Sequence, residues 1–157
     1  MSETTLSPKS RIKCRDIMSR KLTSVGAGQS LSEVAKILKE HDIGIVPVVD
    51  SEMRLEGLLT DRDIVVRAVA EGNDINQATA GDIMTREVFA AGPDDFVFEA
   101  VRTMGDKQVR RIPIVDGEGI LVGIISMADV ALEMEDEKEI AETLEEISSG
   151  EGFWNKK

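Results

Sequence analysis

Two stretches of this 157-residue chain carry side chains whose spacing suits ligand chemistry. They read GLLTDRDI at 57–64 and GIISMADV at 123–130. In each, a β-prone run meets a hydroxyl residue, Thr60 or Ser126, and Asp63 or Asp129 follows three positions later. Where a strand gives way to a helix, free backbone N–H groups and the positive end of the helix dipole gather, a setting that suits phosphate. A carboxylate one turn further can accept two hydrogen bonds from a ribose diol. The same spacing is also a capping box, in which hydroxyl and carboxylate satisfy each other's backbone N–H groups and no ligand is needed. Spacing alone leaves both readings open.

The elements that must position these residues come from a duplication. Asp16-Ile17-Met18 recurs as Asp82-Ile83-Met84, and Pro47-Val48-Val49-Asp50 as Pro113-Ile114-Val115-Asp116, both at an offset of 66. Across 16–64 against 82–130, 13 of 49 positions are identical without a gap. A fixed register over that length marks a tandem repeat.

Each copy reads β-α-β-β-α. A short β-prone segment (22–25 or 88–91) precedes a helix carrying Leu31, Val34, Ala35 and Leu38, or Val97, Ala100, Val101 and Met104, at helical spacing. Ser30 with Glu33 is a capping box in the first copy; Asp94 or Asp95 is the expected cap in the second, and Gly105-Asp106 the expected stop. Two β-branched hairpins follow, 43–49 with 55–59 and 109–115 with 120–125. A last helix starts at Thr60 or Ser126, with Ile64, Val65, Ala68 and Val69 as the apolar stripe of the first copy and Val130, Ala131 and Met134 as that of the second. The divisions expected are an N-terminal segment 1–11, a first copy 12–71, a connector 72–81, a second copy 82–136, and an acidic helix and tail 137–157.

This doubled pattern, DIM, then Pro-Val/Ile-Val-Asp, then Gly-x-x-Thr/Ser-x-x-Asp, closely resembles the CBS (cystathionine β-synthase) domain pair, or Bateman module, over about residues 12–134. The fold implied is α+β, two β-α-β-β-α repeats packed through their sheets, as in small stand-alone prokaryotic members. The resemblance also implies a sensor that binds AMP, ADP, ATP, NAD(H) or S-adenosylmethionine in the cleft between copies, as a regulatory ligand rather than a catalytic cofactor. Carried over residue by residue, one site takes Ser19, Thr23, Ile43, Gly44 and Ile45 with Ser126 and Asp129. The other takes Thr85, Phe89, Val109, Arg110 and Arg111 with Thr60 and Asp63. Arg110 and Arg111 can pair with phosphate, whereas Gly44-Ile45 brings no charge, so the second set is expected to bind phosphate better. A homodimer is expected, because such pairs usually expose two apolar helical faces. The competing reading is a ligand-independent interaction module whose Thr/Ser-x-x-Asp motifs are only caps.

Composition narrows the classes. The formal charge is −11, which disfavours nucleic acid or an anionic membrane as main partner. Most of it sits in 133–151, nine acids and one lysine, while 9–21 holds six bases and one acid. Five aromatics without tyrosine cannot build a base-stacking platform. One cysteine, Cys14, and one histidine, His41, supply neither a disulfide nor a Cys/His zinc site, so no metal is expected. Arg11, Lys13 and Arg15 around Cys14 raise the question of a reactive thiolate. His41, at a helix end, is expected to be solvated. The run 137–147 places Ile140, Ala141, Leu144 and Ile147 on one side, for packing on the module or a dimer partner. There is no Walker lysine loop, GxSxG elbow or HExxH, hence no visible catalytic candidate and no enzyme. Without an apolar leader or a long apolar stretch, the expected address is the cytoplasm.

Overall fold

The computed structural model describes residues 11–133 and Glu145. The acidic run 137–147 therefore lies outside the described residues apart from Glu145, which is exposed.

The chain forms two compact units, and they do not follow the repeat boundaries. One, the contiguous unit, is 22–88 with the short insertion Glu118–Leu121. The other, the composite unit, joins residues 11–21 to Phe89–Gly117 and to 122–133. Each opening Asp-Ile-Met segment thus belongs to the unit built from the other copy's hairpin.

In the contiguous unit, helix α2 (Leu31–His41) starts at Ser30, whose Oγ accepts from Glu33 N–H at 3.2 Å, as the sequence motif predicts. It ends at Asp42, in the left-handed region at φ 51°. Leu31, Val34 and Leu38 are its buried stripe. Strands β1 (Ile45–Val49) and β2 (Leu55–Thr60) pair antiparallel, Ile45 opposite Thr60 and Val48 opposite Gly57, with a bulge at Val48/Val49. Val25 joins β1 through one parallel bridge to Val48, and Thr85 flanks β2 opposite Leu58. The segment 22–25, expected as a strand, is thereby reduced to a single bridge.

Helix α3 (Asp61–Asp63) runs directly into a π-helical stretch, Ile64–Val69, where Ala70 N–H reaches back five residues to Val65 O. A stripe at ordinary α spacing would bury Val65 and Val69, yet these are 58% and 56% exposed, and only Ile64 and Ala68 face the core. Three consecutive β-branched residues, Ile64-Val65-Val66, crowd the preceding turn of an α-helix, and the wider winding redirects them. The short helix α4 (Ala80–Ile83) closes the unit, its Asp82 Oδ2 accepting from Thr79 N–H at 2.9 Å. The core is Val25, Leu31, Val34, Val46, Val48, Leu59 and Ala68, with Met84 at its edge.

The composite unit repeats this plan. Helix α1 (Cys14–Ile17) stands where α4 stands, followed by α5 (Val97–Lys107), β3 (Arg111–Val115), β4 (Leu121–Ser126) and α6 (Met127–Glu133). Ala91 bridges Ile114 in parallel, and Ser19 flanks β4 opposite Ile124. The segment 88–91 again contributes one bridge rather than a strand. The expected Asp94/Asp95 cap does not form: the N-cap is Phe96, without a side-chain bond. Asp95 accepts instead from Gly92 N–H at 2.7 Å, and Asp94 pairs with Arg15 and, at 3.8 Å, with Lys13. Gly105-Asp106 does not stop α5 either: Gly105 is buried within the helix, which runs on to a left-handed Gln108.

Cys14 is fully buried. Burial first, then the nearby Asp95 and Glu99 carboxylates, push its thiol up to about 12. The basic neighbours in sequence therefore do not create a thiolate.

Candidate functional site: two capped helix starts with unlike surroundings

Both Thr/Ser-x-x-Asp motifs fold into the reciprocal pair their spacing allows. Asp63 N–H donates to Thr60 Oγ1 at 3.0 Å, and Thr60 N–H donates to Asp63 Oδ2 at 3.0 Å. In the composite unit Asp129 N–H donates to Ser126 Oγ at 3.1 Å, and Ser126 N–H to Asp129 Oδ2 at 3.0 Å. Capping is thus real at both positions. It uses one lone pair of each hydroxyl and one carboxylate oxygen, leaving the hydroxyl proton and the second carboxylate oxygen for other partners.

The strand entry is tied to each cap by the backbone. Asp61 N–H donates to Gly44 O, and 66 positions later Met127 N–H donates to Arg110 O, both at 2.9 Å. The flanking segment closes the other side: Thr85 exchanges two bonds with Leu58 (2.9 and 3.0 Å), and Ser19 two with Ile124 (2.9 and 3.1 Å).

The residues named from sequence accordingly sort by unit. Thr23, Ile43, Gly44, Ile45, Thr60, Asp63 and Thr85 belong to the contiguous unit; Ser19, Phe89, Val109, Arg110, Arg111, Ser126 and Asp129 belong to the composite one. Each of the two sets implied by the resemblance draws on both units. Thr23 precedes the Val25–Val48 bridge by two residues, on the side of β1 where Ile45 meets Thr60. Phe89 stands in the same relation to the Ala91–Ile114 bridge and is 44% exposed.

Three further side chains belong to these surroundings. Arg67 lies with Nε 3.7 Å from Asp63 Oδ1 and donates from Nη1 to Ile83 O (3.0 Å) and Thr85 Oγ1 (3.3 Å). Its position four residues after Asp63 on a helix was the available signal. Arg67 also lines an open hollow of about 570 Å³ with Asn73, Asp74, Gln77, Ala78, Asp82 and Ile83. Lys107 places Nζ 4.5 Å from the centroid of the Phe89 ring, a pairing with no local sequence signal. Asp61, exposed, stands over Gly44: a Cβ built there would be 3.4 Å from Asp61 Oδ2. Among the described residues no group of three or more His, Cys, Asp or Glu could hold a metal, and no helix is long and apolar enough to cross a membrane.

Known proteins resemble this chain in sequence and fold. The family model for the CBS domain matches residues 14–69 and again 80–136. Hypoxic response protein 1 of Mycobacterium tuberculosis is 41% identical over 117 residues, 74% of this chain and 81% of that protein. Its crystal structure, which holds two coordinated zinc ions, superposes with a TM-score of 0.73 at 39% identity, covering 78% of this chain and 99% of that one. The CBS domain-containing protein YhcV of Bacillus subtilis is 34% identical over 134 residues, 85% of this chain and 94% of its own. The CBS domain pair of protein MJ0100, solved with 5′-methylthioadenosine and S-adenosyl-L-methionine, gives a TM-score of 0.68 at 32% identity over 77% of this chain and 94% of that one. With two family matches at the register of its own repeat, the chain belongs to the CBS domain family, as a tandem pair.

Proposed function

We propose that this CBS pair is a regulatory module that binds an adenosine-containing ligand and is not an enzyme. The observation that carries the reading is the doubled Thr/Ser–Asp pair, each presenting a hydroxyl proton and a second carboxylate oxygen outside the cap beside a strand entry, with Asp63 Oδ1 also 3.7 Å from Arg67 Nε. That donor and acceptor set suits a ribose diol and its 5′ substituent. The adenosine compounds bound to the CBS pair of MJ0100, at 32% identity, support the same class of ligand. AMP, ADP, ATP, NAD(H) and S-adenosylmethionine are the candidates. Occupancy would act by differential binding, favouring one arrangement of the module by no more than the ligand's affinity difference between states. A cytoplasmic homodimer completes the proposal; the exposed Val65, Val66 and Val69 support self-association.

Calorimetry with AMP, ATP, NADH and S-adenosylmethionine tests the reading. Saturable binding by the wild type, weakened about tenfold or more in Asp63→Ala with Asp129→Ala, is the expected result. The second reading, a ligand-independent module, is favoured by the fully formed caps. On that reading each Asp→Ala change costs about 1 kcal/mol of stability and no nucleotide binds.

A further inference from the structure

The two strand entries differ in charge at equivalent positions. In the contiguous unit the entry is His41-Asp42-Ile43-Gly44-Ile45, which carries no lysine or arginine. The Asp61 carboxylate occupies the space over Gly44, 3.4 Å from where a Cβ would lie. Two cations stand by this cap: Arg67 is engaged by Asp63, Thr85 and the Ile83 carbonyl, and Arg62 follows Asp61, its N–H donating to Asp61 Oδ1 at 2.8 Å.

In the composite unit the same five positions are Lys107-Gln108-Val109-Arg110-Arg111. All three cations are exposed, and neither arginine makes an ion pair with another described residue. Asp61 is replaced by Met127, which is buried, so the carboxylate that stands over Gly44 has no counterpart at this position. Among the described residues of α6, the acids are Asp129, held by the cap, and Glu133, exposed at the end of the helix in the position of Arg67.

We infer that the two caps sort adenosine ligands by the charge of the 5′ substituent. The backbone joins each strand entry to the cap of its own unit, not to the other copy's cap as in the sets the resemblance implies, so the Ser126–Asp129 cap, beside Arg110 and Arg111, takes phosphorylated adenosine. The Thr60–Asp63 cap, beneath Asp61, takes adenosine with a neutral or cationic 5′ group, a thioether or a sulfonium. This inference rests on the adenosine-binding reading. At the strand entry itself a phosphate meets the Arg110 and Arg111 guanidinium donors in one unit and the Asp61 carboxylate over Gly44 in the other, while a sulfonium meets the reverse.

The test is calorimetry of the full chain with 5′-AMP, 5′-methylthioadenosine and S-adenosylmethionine, singly and with one nucleoside already saturating. AMP should bind undiminished to protein saturated with 5′-methylthioadenosine. Arg110→Gln with Arg111→Gln should weaken AMP about tenfold or more and leave 5′-methylthioadenosine unchanged. Asp61→Asn should weaken S-adenosylmethionine roughly three- to fivefold, the scale of one exposed charge pair, and leave the tight AMP site unchanged. All three substituted side chains are exposed, and thermal melts confirm that the variants fold. Competition between AMP and 5′-methylthioadenosine for one site overturns the sorting, as do equal effects of both variants on AMP and S-adenosylmethionine. Either result leaves the adenosine-binding reading standing. Failure of every adenosine compound to bind the wild type overturns both.

Discussion

Met53 holds a left-handed backbone, φ 63°, in the turn between β1 and β2, where the residue 66 positions later is Gly119 at φ 81°. A side chain there is strained by about 1–2 kcal/mol, partly offset because glycine loosens the unfolded chain. Met53→Gly should therefore raise stability by about 0.5–1 kcal/mol, seen as a higher urea midpoint at unchanged slope, and a lower midpoint would refute the assignment of strain. In the same turn Asp50 Oδ1 accepts from Arg54 N–H at 2.9 Å and Glu52 N–H at 2.8 Å. These bonds, that from Arg54 foremost, lower its carboxyl pKa below the ordinary value, aided by the Arg54 charge. A depressed folded pKa means stability that is present at neutral pH and lost as pH falls below about 4. The stability gap between wild type and Asp50→Ala should narrow across that range; a gap independent of pH would contradict it. Cys14 behaves oppositely, its raised pKa keeping the thiol neutral, so Ellman's reagent at pH 8 should label it only on unfolding. Sequence neighbours misled here because Arg15 turns to Asp94, while Asp95 and Glu99 reach the sulfur through space.

The glycine that opens each Gly-x-x-Thr/Ser motif has a packing reason. A Cβ on Gly57 would lie 2.7 Å from Thr85 O and 2.8 Å from Met84 Sδ; on Gly123 it would lie 2.5 Å from Met18 Sδ. The methionine of Asp-Ile-Met lies flat against this bare strand position, which ties two otherwise separate parts of the repeat pattern together. The nearest obstacle at Gly57 is a backbone carbonyl held in a bridge, whereas at Gly123 it is a flexible thioether. Gly57→Ala should consequently cost about 2–3 kcal/mol and Gly123→Ala about 1 kcal/mol, measured by denaturant unfolding; the reverse order would contradict the packing account. At this scale most of the fold was legible, since both hairpins and both amphipathic helices follow from period, and the start of α2 from its Ser30 cap, whereas the cap expected for α5 did not form. What escaped depended on tertiary packing: Gly105 inside α5, and the π winding that turns Val65 and Val69 outward.

For the whole molecule, the 66-residue offset revealed the duplication but not the exchange of opening segments. Asp-Ile-Met fits either copy's Gly-x-x-Thr/Ser strand equally well on paper, so only the bridges Ser19–Ile124 and Thr85–Leu58 assign each segment to its unit. The cap chemistry of the site was readable in advance, whereas the joining of Gly44 to Asp61 and of Arg110 to Met127 needed coordinates. A fragment covering 22–88 should keep native-like amide protection, whereas one cut at the repeat, 12–71, lacks Met84 and Thr85 and should not; equal protection in both would contradict the exchange. The exchange also sets an order of assembly during synthesis. Nearly all of the contiguous unit exists once residue 88 has been made, but Cys14 and Met18 have no composite core to enter until α6 emerges, some 45 residues later. At about 5–20 residues per second, that delay lasts roughly 2–9 s. Cys14 and Met18, made before the contiguous unit, are among the last residues to be buried, and for those seconds the nascent chain carries an apolar arm that chaperones can engage.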